Sequence, residues 1–441
     1  MQQPDIHVGI LSSAVIDIEL LAPYKVNGQT AEGPQTVAVT PDGRLEWQGR
    51  EYDAPLTFEP VDPATGVFEI KDVVIGVNFH WERKENQRFS GKAHFIVEEG
   101  KVTIVNVLPV EDYLLSVISS EMSAQASLEL LKAHAVISRS WLLAQIRKNK
   151  AIADSGEHYC ACTETATERI KWYDREDHVN FDVCADDHCQ RYQGVTRQST
   201  PKVAEAIKAT FGQVLMYDGE LCDARFSKCC GGVFEEFENC WEPKHMHYLG
   251  ARADKPEETD FPDLRDEATA TAFINGRPDA FCNTADKEIL SQVLNNYDQE
   301  TTDFYRWQVH YTQEQISELV RERSGIDFGK IIDLQPVERG TSGRLVRLRF
   351  VGTERTMVIG KELEIRRTLS KSHLYSSAFT VERHDIDPAT GIPASFTLHG
   401  AGWGHGVGLC QIGAAVMGAR GYKYREILAH YFMDASLQKI Y

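Results

Sequence analysis

The fold of this chain is decided by residues 107–140, which read VLPVEDYLLSVISSEMSAQASLELLKAHAVISRS. Pro109 suits the first turn of a helix, and the two acidic residues that follow it closely suit the positive end of the helix dipole. Ser127 is a good N-cap for a second, longer helix. The stretch therefore predicts a helix to about residue 118, a short loop that carries Glu121, and a long helix to about residue 146.

The predicted long helix carries two cations on its apolar face. On a 3.6-residue period, Lys132 and Arg139 fall among leucines, alanines and valines, whereas an ordinary amphipathic helix keeps such residues on its polar side. Buried cations need anionic partners. Glu121 is one candidate partner, and a carboxyl held among cations at a cleft is a plausible catalytic group. The competing interpretation is that the two cations neutralise Glu111, Asp112 or Glu121 inside the fold.

Composition bounds the class of protein. The 441 residues suffice for two or three domain-sized units, and 42% hydrophobic and 25% charged residues are ordinary for a globular protein. The formal net charge of −18 argues against nucleic-acid binding through the bulk surface, because that binding depends on Lys and Arg contacts to phosphate. No stretch approaches the roughly 20 apolar residues of a membrane span. We therefore expect no nucleic-acid partner and no span.

The N-terminal sequence leaves two locations open. It reads MQQPDIHVGIL, without a basic region followed by an apolar core, so no signal peptide is visible. If a leader has been removed, we expect an exported protein of the cell envelope or periplasm. If this N-terminus is native, we expect a cytoplasmic protein.

The pattern of apolar residues predicts an α+β protein with antiparallel-type sheets, because β-rich runs and helices do not alternate regularly. Residues 1–106 form a β-rich N-terminal region, and residues 107–250 form the half with Glu121 and a Cys/His-rich segment. Residues 251–330 are a variable α/β insertion, acidic and irregular up to about residue 300. Residues 331–441 form a C-terminal half with a glycine-rich loop around His405.

A short polar segment contains four ligands of the type that zinc binds: His178, Cys184, His188 and Cys189. Zinc accepts mixed Cys/His sets with short spacing, and such a thiolate-rich site would be structural, without an open position for water. The competing interpretation is one or two disulfides that join these cysteines to the nearby Cys160 or Cys162.

Two distant stretches together resemble the signature of the SpoIID/LytB family. The first is the segment from Val107 to Met122 followed by LKAHAVISRS at 131–140. The second is GWGHGVGLCQIGA at 402–414 followed by GYKYREILAHY at 421–431. The resemblance covers nearly the whole chain and is weakest over residues 1–88 and 251–300.

The resemblance implies that the protein acts on peptidoglycan. SpoIID proteins are lytic transglycosylases that cleave glycan strands already stripped of stem peptides, and LytB-like relatives are amidase enhancers that stimulate a partner hydrolase. Glu121 matches the family's catalytic glutamate, and Lys132 and Arg139 match its active-site basic residues. Some family members also bind zinc through a similar His/Cys set next to the active site. We therefore expect a lytic transglycosylase with Glu121 as its single acid and base, and with no cofactor in the chemistry.

Four residues are candidates for binding the glycan: Lys132, Arg139, His405 and Gln411. Arginine forks onto carboxylates, so the lactyl carboxylate of the sugar is a suitable partner for the basic pair. The glycines around His405 let the backbone come close to a ligand or to another segment of the chain. The alternative is that His405 and Gln411 are interior polar residues whose hydrogen bonds are satisfied within the fold.

The chain also departs from the family pattern. Ser123 stands where a proline is usual, and Ala126-Ser127 stand where a Trp-Pro pair is usual, which predicts a looser loop around Glu121. Cysteines replace serines at three further positions: Cys229, Cys230 and Cys410. These departures bear on the choice of substrate more than on the reaction. The missing Pro and Trp near Glu121 favour the alternative of a non-catalytic cell-wall-binding protein or amidase enhancer, with a cell-wall amidase as its partner. A zinc hydrolase built on the Cys/His segment is a weaker third interpretation.

Overall fold

The computed structural model of the protein describes residues 3–75, 83–123, 125–155, 162–172, 178–186, 189–196, 200–256, 260–293 and 303–441. Within these ranges the fold is α+β, as predicted, with helices packed on several mostly antiparallel sheets. None of the helices in these ranges combines the length and the apolar character that a membrane span requires. His188 and Cys160 lie outside the described residues.

The N-terminal region is a large, curved sheet. Its strands are β1 (Asp5–Ser13), β2 (Val15–Val26), β3 (Gln29–Val39), β4 (Leu45–Trp47), β5 (Arg50–Tyr52), β6 (Leu56–Pro60), β7 (Val67–Ile75), β8 (Arg83–Ser90), β9 (Lys92–Glu98) and β10 (Lys101–Pro109). Buried and exposed side chains alternate along much of β2, as expected of a strand with one face on the core. Inside the sheet, the rings of Trp47, Phe58 and Phe95 pack edge to face at centroid distances of 5.4 and 5.2 Å.

Two helices follow the sheet directly: α1 (Val110–Glu121) and α2 (Leu128–Ser155). The helix α1 begins straight after Pro109, which needs no hydrogen-bond acceptor for its ring nitrogen. The predicted cap of α2 is confirmed, because Ser127 Oγ accepts a hydrogen bond from the Leu130 amide at 3.2 Å. The helix α1 runs further than predicted. Glu121 is therefore the last residue of that helix and not part of a loop.

The middle of the chain contains short elements. They are β11 (Cys162–Glu164), β12 (Glu168–Lys171), β13 (Val183–Cys184), α3 (Pro201–Ala209), β14 (Gln213–Tyr217), β15 (Glu220–Leu221), β16 (Phe226–Ser227), α4 (Phe237–Cys240), α5 (Glu267–Asn275) and α6 (Lys287–Val293), with 3-10 turns at Gly194–Thr196 and His247–Leu249. The prediction that residues 251–300 are irregular was wrong for α5 and α6. The first of these is capped by Asp266, whose carboxylate accepts from the Thr269 amide at 2.9 Å.

The last part of the chain adds a second lobe and then returns to the first. Its elements are β17 (Arg306–Thr312), α7 (Gln313–Ser324), β18 (Ile331–Arg339), β19 (Leu345–Gly352), β20 (Thr356–Gly360), α8 (Glu362–Thr368), β21 (Phe379–His384), β22 (Ser395–Ala401), β23 (Leu409–Cys410), α9 (Gln411–Ala419), α10 (Tyr424–Tyr431) and β24 (Ser436–Lys439). The strands β18, β19 and β20 form one sheet with β12 and β11, and β22 lies between β17 and β21 in another.

Two large apolar cores and one small cluster, formed by Ala270, Ile274, Ala378 and Ala401, hold the described residues together. The first combines the N-terminal sheet with α1, α2 and α6, and it also takes in residues 407–432. The second is built from side chains between Trp307 and Leu398. The last helices of the chain thus share a core with Glu121's helix, although about 300 residues separate them in sequence. The domain boundaries given above at 107, 251 and 331 stay predictions.

Candidate functional site

Glu121 lies at the C-terminal end of α1, and its side chain is partly exposed. Its neighbour Met122 turns to an extended conformation and is 2% exposed, so the chain changes direction there and anchors itself in the core. The carboxyl of Glu121 is therefore held at the end of α1, where the chain leaves the helix.

The turn after Glu121 is held by a residue of the 251–300 stretch. The Ser123 amide donates to the Gln292 carbonyl at 3.1 Å, and the Ser127 amide donates to Gln292 Oε1 at 3.0 Å. Gln292 belongs to α6, which also packs against α9. The proline that the family usually has in this turn is thus replaced here by a pair of long-range hydrogen bonds.

A His/Cys cluster forms beside this turn. The ligand atoms of His178, Cys184 and Cys189 all lie within 4.8 Å of one another, and His178 Nε2 is 3.4 Å from Cys189 Sγ. Cys184 is fixed by β13, which pairs in parallel with β1 at Val8 and Gly9. Three of the four predicted zinc ligands are therefore brought together, and the fourth, His188, falls outside the described residues. Among the described cysteines of this region, which are Cys162, Cys184 and Cys189, no disulfide is formed.

Glu121 and the His/Cys cluster are neighbours. The Arg191 amide, two residues beyond Cys189, donates to Glu121 Oε1 at 3.4 Å. Beneath them lies Tyr113, whose hydroxyl donates to Gln190 Oε1 at 3.3 Å and whose ring stacks on Tyr192 at 5.1 Å. Burial raises the pKa of the Tyr113 hydroxyl, and the charges of Cys189, Cys184 and Glu121 raise it further. One segment thus connects the candidate acid to the candidate metal ligands.

The two cations of α2 have carboxylate partners other than Glu121. Lys132 Nζ is 2.9 Å from Glu129 Oε1 and 5.8 Å from the centre of the Tyr424 ring. Arg139 is fully buried and forks onto Glu111 through bonds of 2.9 and 2.7 Å. It also donates to the Gln213 carbonyl at 2.9 Å. In this structure both cations are paired with carboxylates: Lys132 and Glu129 are partly exposed, whereas Arg139 is fully buried and has no surface with which to meet a sugar.

The glycine-rich loop wraps around an arginine. A side chain added at Gly406 would begin 2.5 Å from the guanidinium of Arg344, so only glycine fits there. Within this loop, His405 Nδ1 accepts from the Val407 amide at 3.0 Å, and its ring packs against Trp241 at 5.1 Å. Burial lowers the pKa of His405, and neighbouring arginines lower it further, so the imidazole is neutral at pH 7.

Gln411 is an interior residue at the start of α9, 2% exposed. Its Nε2 lies 3.1 Å from Nε2 of His134, whose Nδ1 lies 3.2 Å from Ser138 Oγ. Burial lowers the pKa of His134 to about 3. Gln411 therefore completes a neutral, buried chain of polar groups between α9 and α2. For Lys132, Arg139, His405 and Gln411 alike, the polar partners found among the described residues are other than Glu121.

Sequence reasoning missed Tyr113, Arg191 and Gln292, which support Glu121 directly or through one contact. Tyr113 had a local signal, since it lies two turns before Glu121 on the same predicted helix. Arg191 and Gln292 had none, because their contacts cross 70 and 165 residues of sequence. A cavity of about 530 Å³ lies in the second lobe, lined by residues such as Glu267, Asp333 and Glu382, and it contains none of the predicted site residues.

Comparison with known proteins covers both halves of the chain. Residues 98–217, which include Glu121 and the His/Cys cluster, match the model of the SpoIID family, described as "Stage II sporulation protein". Residues 235–408 match a model described as "Domain of unknown function (DUF8618)".

Three relatives span about three quarters of this chain. An uncharacterized protein of Brachyspira hyodysenteriae is 25% identical over 344 residues, which are 78% of this chain and 70% of that protein. A stage II sporulation protein D of Bacillus amyloliquefaciens is 20% identical over 342 residues, 76% of each chain. An amidase enhancer of Bacillus subtilis is 24% identical over 335 residues, 74% of this chain and 40% of its own length.

Proposed function

Because the chain belongs to the SpoIID/LytB family, which gives it a cell-wall-related role, we propose that it is a lytic transglycosylase that cleaves peptidoglycan glycan strands. The observation that carries the proposal is the partly exposed carboxyl of Glu121, which the turn of Met122 leaves at the end of α1 beside a His/Cys cluster. Its action would take place in the cell envelope, where peptidoglycan lies.

One carboxyl suffices for this reaction. Protonated Glu121 donates its proton to the glycosidic oxygen as the bond from that oxygen to the anomeric carbon breaks. The 6-hydroxyl of the same sugar then attacks the anomeric carbon, and the Glu121 carboxylate accepts the hydroxyl proton. The products are a free chain end and a 1,6-anhydro end, and no water is consumed. The two-carboxylate arrangement of most glycosidases is therefore not required.

The His/Cys cluster fits a structural zinc ion. His178, Cys184 and Cys189 offer ligand atoms within 4.8 Å of one another, and His188 adjoins them in sequence. Such an ion supplies a rigid cross-link and no chemical step. The cross-link would fix the segment that ends at Arg191, and the Arg191 amide would then hold Glu121 in place. Arg139 and Gln411 are buried and paired inside the fold, so we assign them no part in the proposed reaction, whereas Lys132 and His405 are partly exposed and stay candidates for binding the glycan.

The experiment compares Glu121→Gln with wild type on glycan strands stripped of stem peptides. Glutamine keeps the shape of the side chain but donates no carboxyl proton, so formation of 1,6-anhydro ends should fall by roughly 10²- to 10⁴-fold. Mass spectrometry of the products is the readout. The matched control is Glu205→Gln, an exposed glutamate on α3, which should keep wild-type activity. Anhydro ends formed at the wild-type rate by the folded Glu121→Gln protein would contradict the proposal.

A second candidate function is stimulation of a cell-wall amidase without cleavage. It is favoured by the pairing of Lys132 with Glu129 and of Arg139 with Glu111, which engages the two basic residues that the family resemblance assigns to the active site. This function would appear as no anhydro ends from stripped strands with the wild-type protein, together with faster release of stem peptides when the protein is added to an amidase acting on intact peptidoglycan. Glu121→Gln would then stimulate the amidase as well as wild type does.

A further inference from the structure

Four segments that are far apart in sequence meet at a second cluster of thiols and a carboxylate. Cys230 follows β16, Asp254 and Cys282 lie on separate loops, and Cys410 ends β23. Their ligand atoms, three sulfurs and one carboxylate oxygen, lie within 4.8 Å of one another, and all four residues are buried. The cluster is separate from the His/Cys cluster beside Glu121, with which it shares no residue.

The spacing of the four atoms matches a single tetrahedral ion. Cys230 Sγ is 3.4 Å from Cys282 Sγ and 3.5 Å from Asp254 Oδ2. A zinc ion with bonds of about 2.3 Å to sulfur places tetrahedral ligands about 3.8 Å apart. A four-iron cluster binds each thiolate to a different iron and needs a wider set. The observed set is as compact as a mononuclear site requires.

Hydrogen bonds from the groups around the cluster hold its ligand atoms in position, as they do around a bound metal ion. The Cys230 amide donates to Cys410 Sγ at 3.2 Å, and the Gly232 amide donates to Cys230 Sγ at 3.4 Å. Asp254 Oδ1 accepts from the Tyr431 hydroxyl at 3.0 Å and lies 3.3 Å from His430 Nε2, while Oδ2 accepts from the Cys282 amide at 3.1 Å and is 3.5 Å from Cys230 Sγ. Around bound metals, hydrogen bonds of this kind orient the ligating carboxylate and sulfur atoms and tune the properties of the ion.

Two arginines, the buried Arg344 and the partly buried Arg306, bring positive charge close to the cluster. Arg306 donates to the Gly231 carbonyl at 3.0 Å, and Arg344 donates to the Cys230 carbonyl at 3.1 Å. Three thiolates and a carboxylate carry four negative charges, of which a divalent ion neutralises two. Buried charge is tolerated where it is paired. The two guanidiniums offset the remaining two negative charges. The hydrogen bonds given above for them go to backbone carbonyls and not to the ligand atoms.

We propose that Cys230, Asp254, Cys282 and Cys410 bind a structural zinc ion that ties the glycine-rich loop and α9 to the loops at residues 230, 254 and 282. Two of its thiols, Cys230 and Cys410, stand where the family pattern has serines. The site is closed, since all four ligands are buried, and it supplies no position for water or substrate. Because the linked residues lie as far as 180 positions apart, the cross-link removes much freedom from the unfolded chain.

The test measures zinc per chain by mass spectrometry of the metal in the full-length protein. A Cys184→Ser/Cys189→Ser background removes the other cluster, and in it we expect one zinc per chain. Adding Cys282→Ser should lower the content at least fivefold. The matched control is Cys222→Ser, a buried cysteine outside the cluster, which should leave the zinc in place.

X-ray absorption at the zinc edge keeps the proposal testable if Cys282→Ser does not fold. On the same background with its ligands intact, three sulfur neighbours at about 2.3 Å and one oxygen neighbour are expected. Absence of metal, a Cys230–Cys282 disulfide, or iron with acid-labile sulfide would each overturn the proposal. The fourth ligand is tested separately: Asp254→Asn should weaken zinc binding more than tenfold, whereas Cys229→Ser should not. The reverse result would overturn the assignment of Asp254.

Discussion

The charges of Arg139 and Glu111 are enclosed by protein. Arg139 is fully buried, and Glu111 accepts further hydrogen bonds from the Tyr441 hydroxyl at 2.6 Å and the Gly212 amide at 3.4 Å. Removing charges from water costs several kcal/mol per ion, and good geometry with additional hydrogen bonds offsets that cost. The pair therefore joins α1, α2 and the C-terminal residue, and each member depends on the other.

We expect Arg139→Met to lower the free energy of unfolding by roughly 3–5 kcal/mol, because it leaves the Glu111 carboxylate buried without its cation. Adding Glu111→Gln should restore most of this loss, since no uncompensated charge then remains. Urea denaturation of the two variants and wild type measures both effects. Arg147→Met, an exposed arginine on the same helix, is the control and should change stability by less than about 0.5 kcal/mol.

A different result would assign Arg139 a role in substrate binding. If Arg139→Met kept wild-type stability but lost binding to glycan strands, the arginine would be a ligand for the sugar carboxylate, as the family resemblance implies. The internal ion pair would then be an arrangement that opens on binding.

At the scale of elements, the turn between α1 and α2 decides how firmly Glu121 is held. Gln292 of α6 accepts two amides of this turn, one through its backbone and one through its side chain. Gln292→Leu removes the side-chain acceptor, which is worth about 1 kcal/mol, so hydrogen exchange at the Ser127 amide should become roughly fivefold faster. Gln292→Glu keeps the oxygen and should exchange like wild type. Equal exchange rates of the Ser127 amide in all three proteins would show that the Gln292 side chain does not stabilise the turn.

The same two helices show what local sequence could and could not predict. Pro109 and Ser127 lie directly before the helices that they start, and both helix starts were predicted from these two residues. The end of α1 was misplaced because Glu121 carries no stop signal of its own, and the chain leaves the helix only where Met122 enters the core. The contacts of Gln292 are decided by tertiary packing, which the residues near Glu121 do not encode.

At the scale of the molecule, sequence separation decided which site could be found. The His/Cys cluster was visible because its members lie within twelve residues. The buried Cys/Asp cluster was not, because its four members come from four segments and one of them is an aspartate among 65 acidic residues. The fold class followed from the pattern of strands and helices, whereas the sharing of one core by β10, α1 and α9 became known only from the structure.

Removal of the metal should therefore destabilise the first core more than the second. The thiols of the buried cluster belong to the first core, whereas β18 and β19 build the second. In the Cys184→Ser/Cys189→Ser background, chelation under mild denaturant should speed amide exchange in α9 and at residues 229–233 by roughly 10²-fold or more, because zinc binding contributes several kcal/mol to folding. Amides of β18 and β19 should keep their protection, as they would in a chelator-free control at the same denaturant concentration. Equal loss of protection in both regions would show instead that the two cores unfold as one unit, and unchanged exchange in both would show that no metal stabilises the first core.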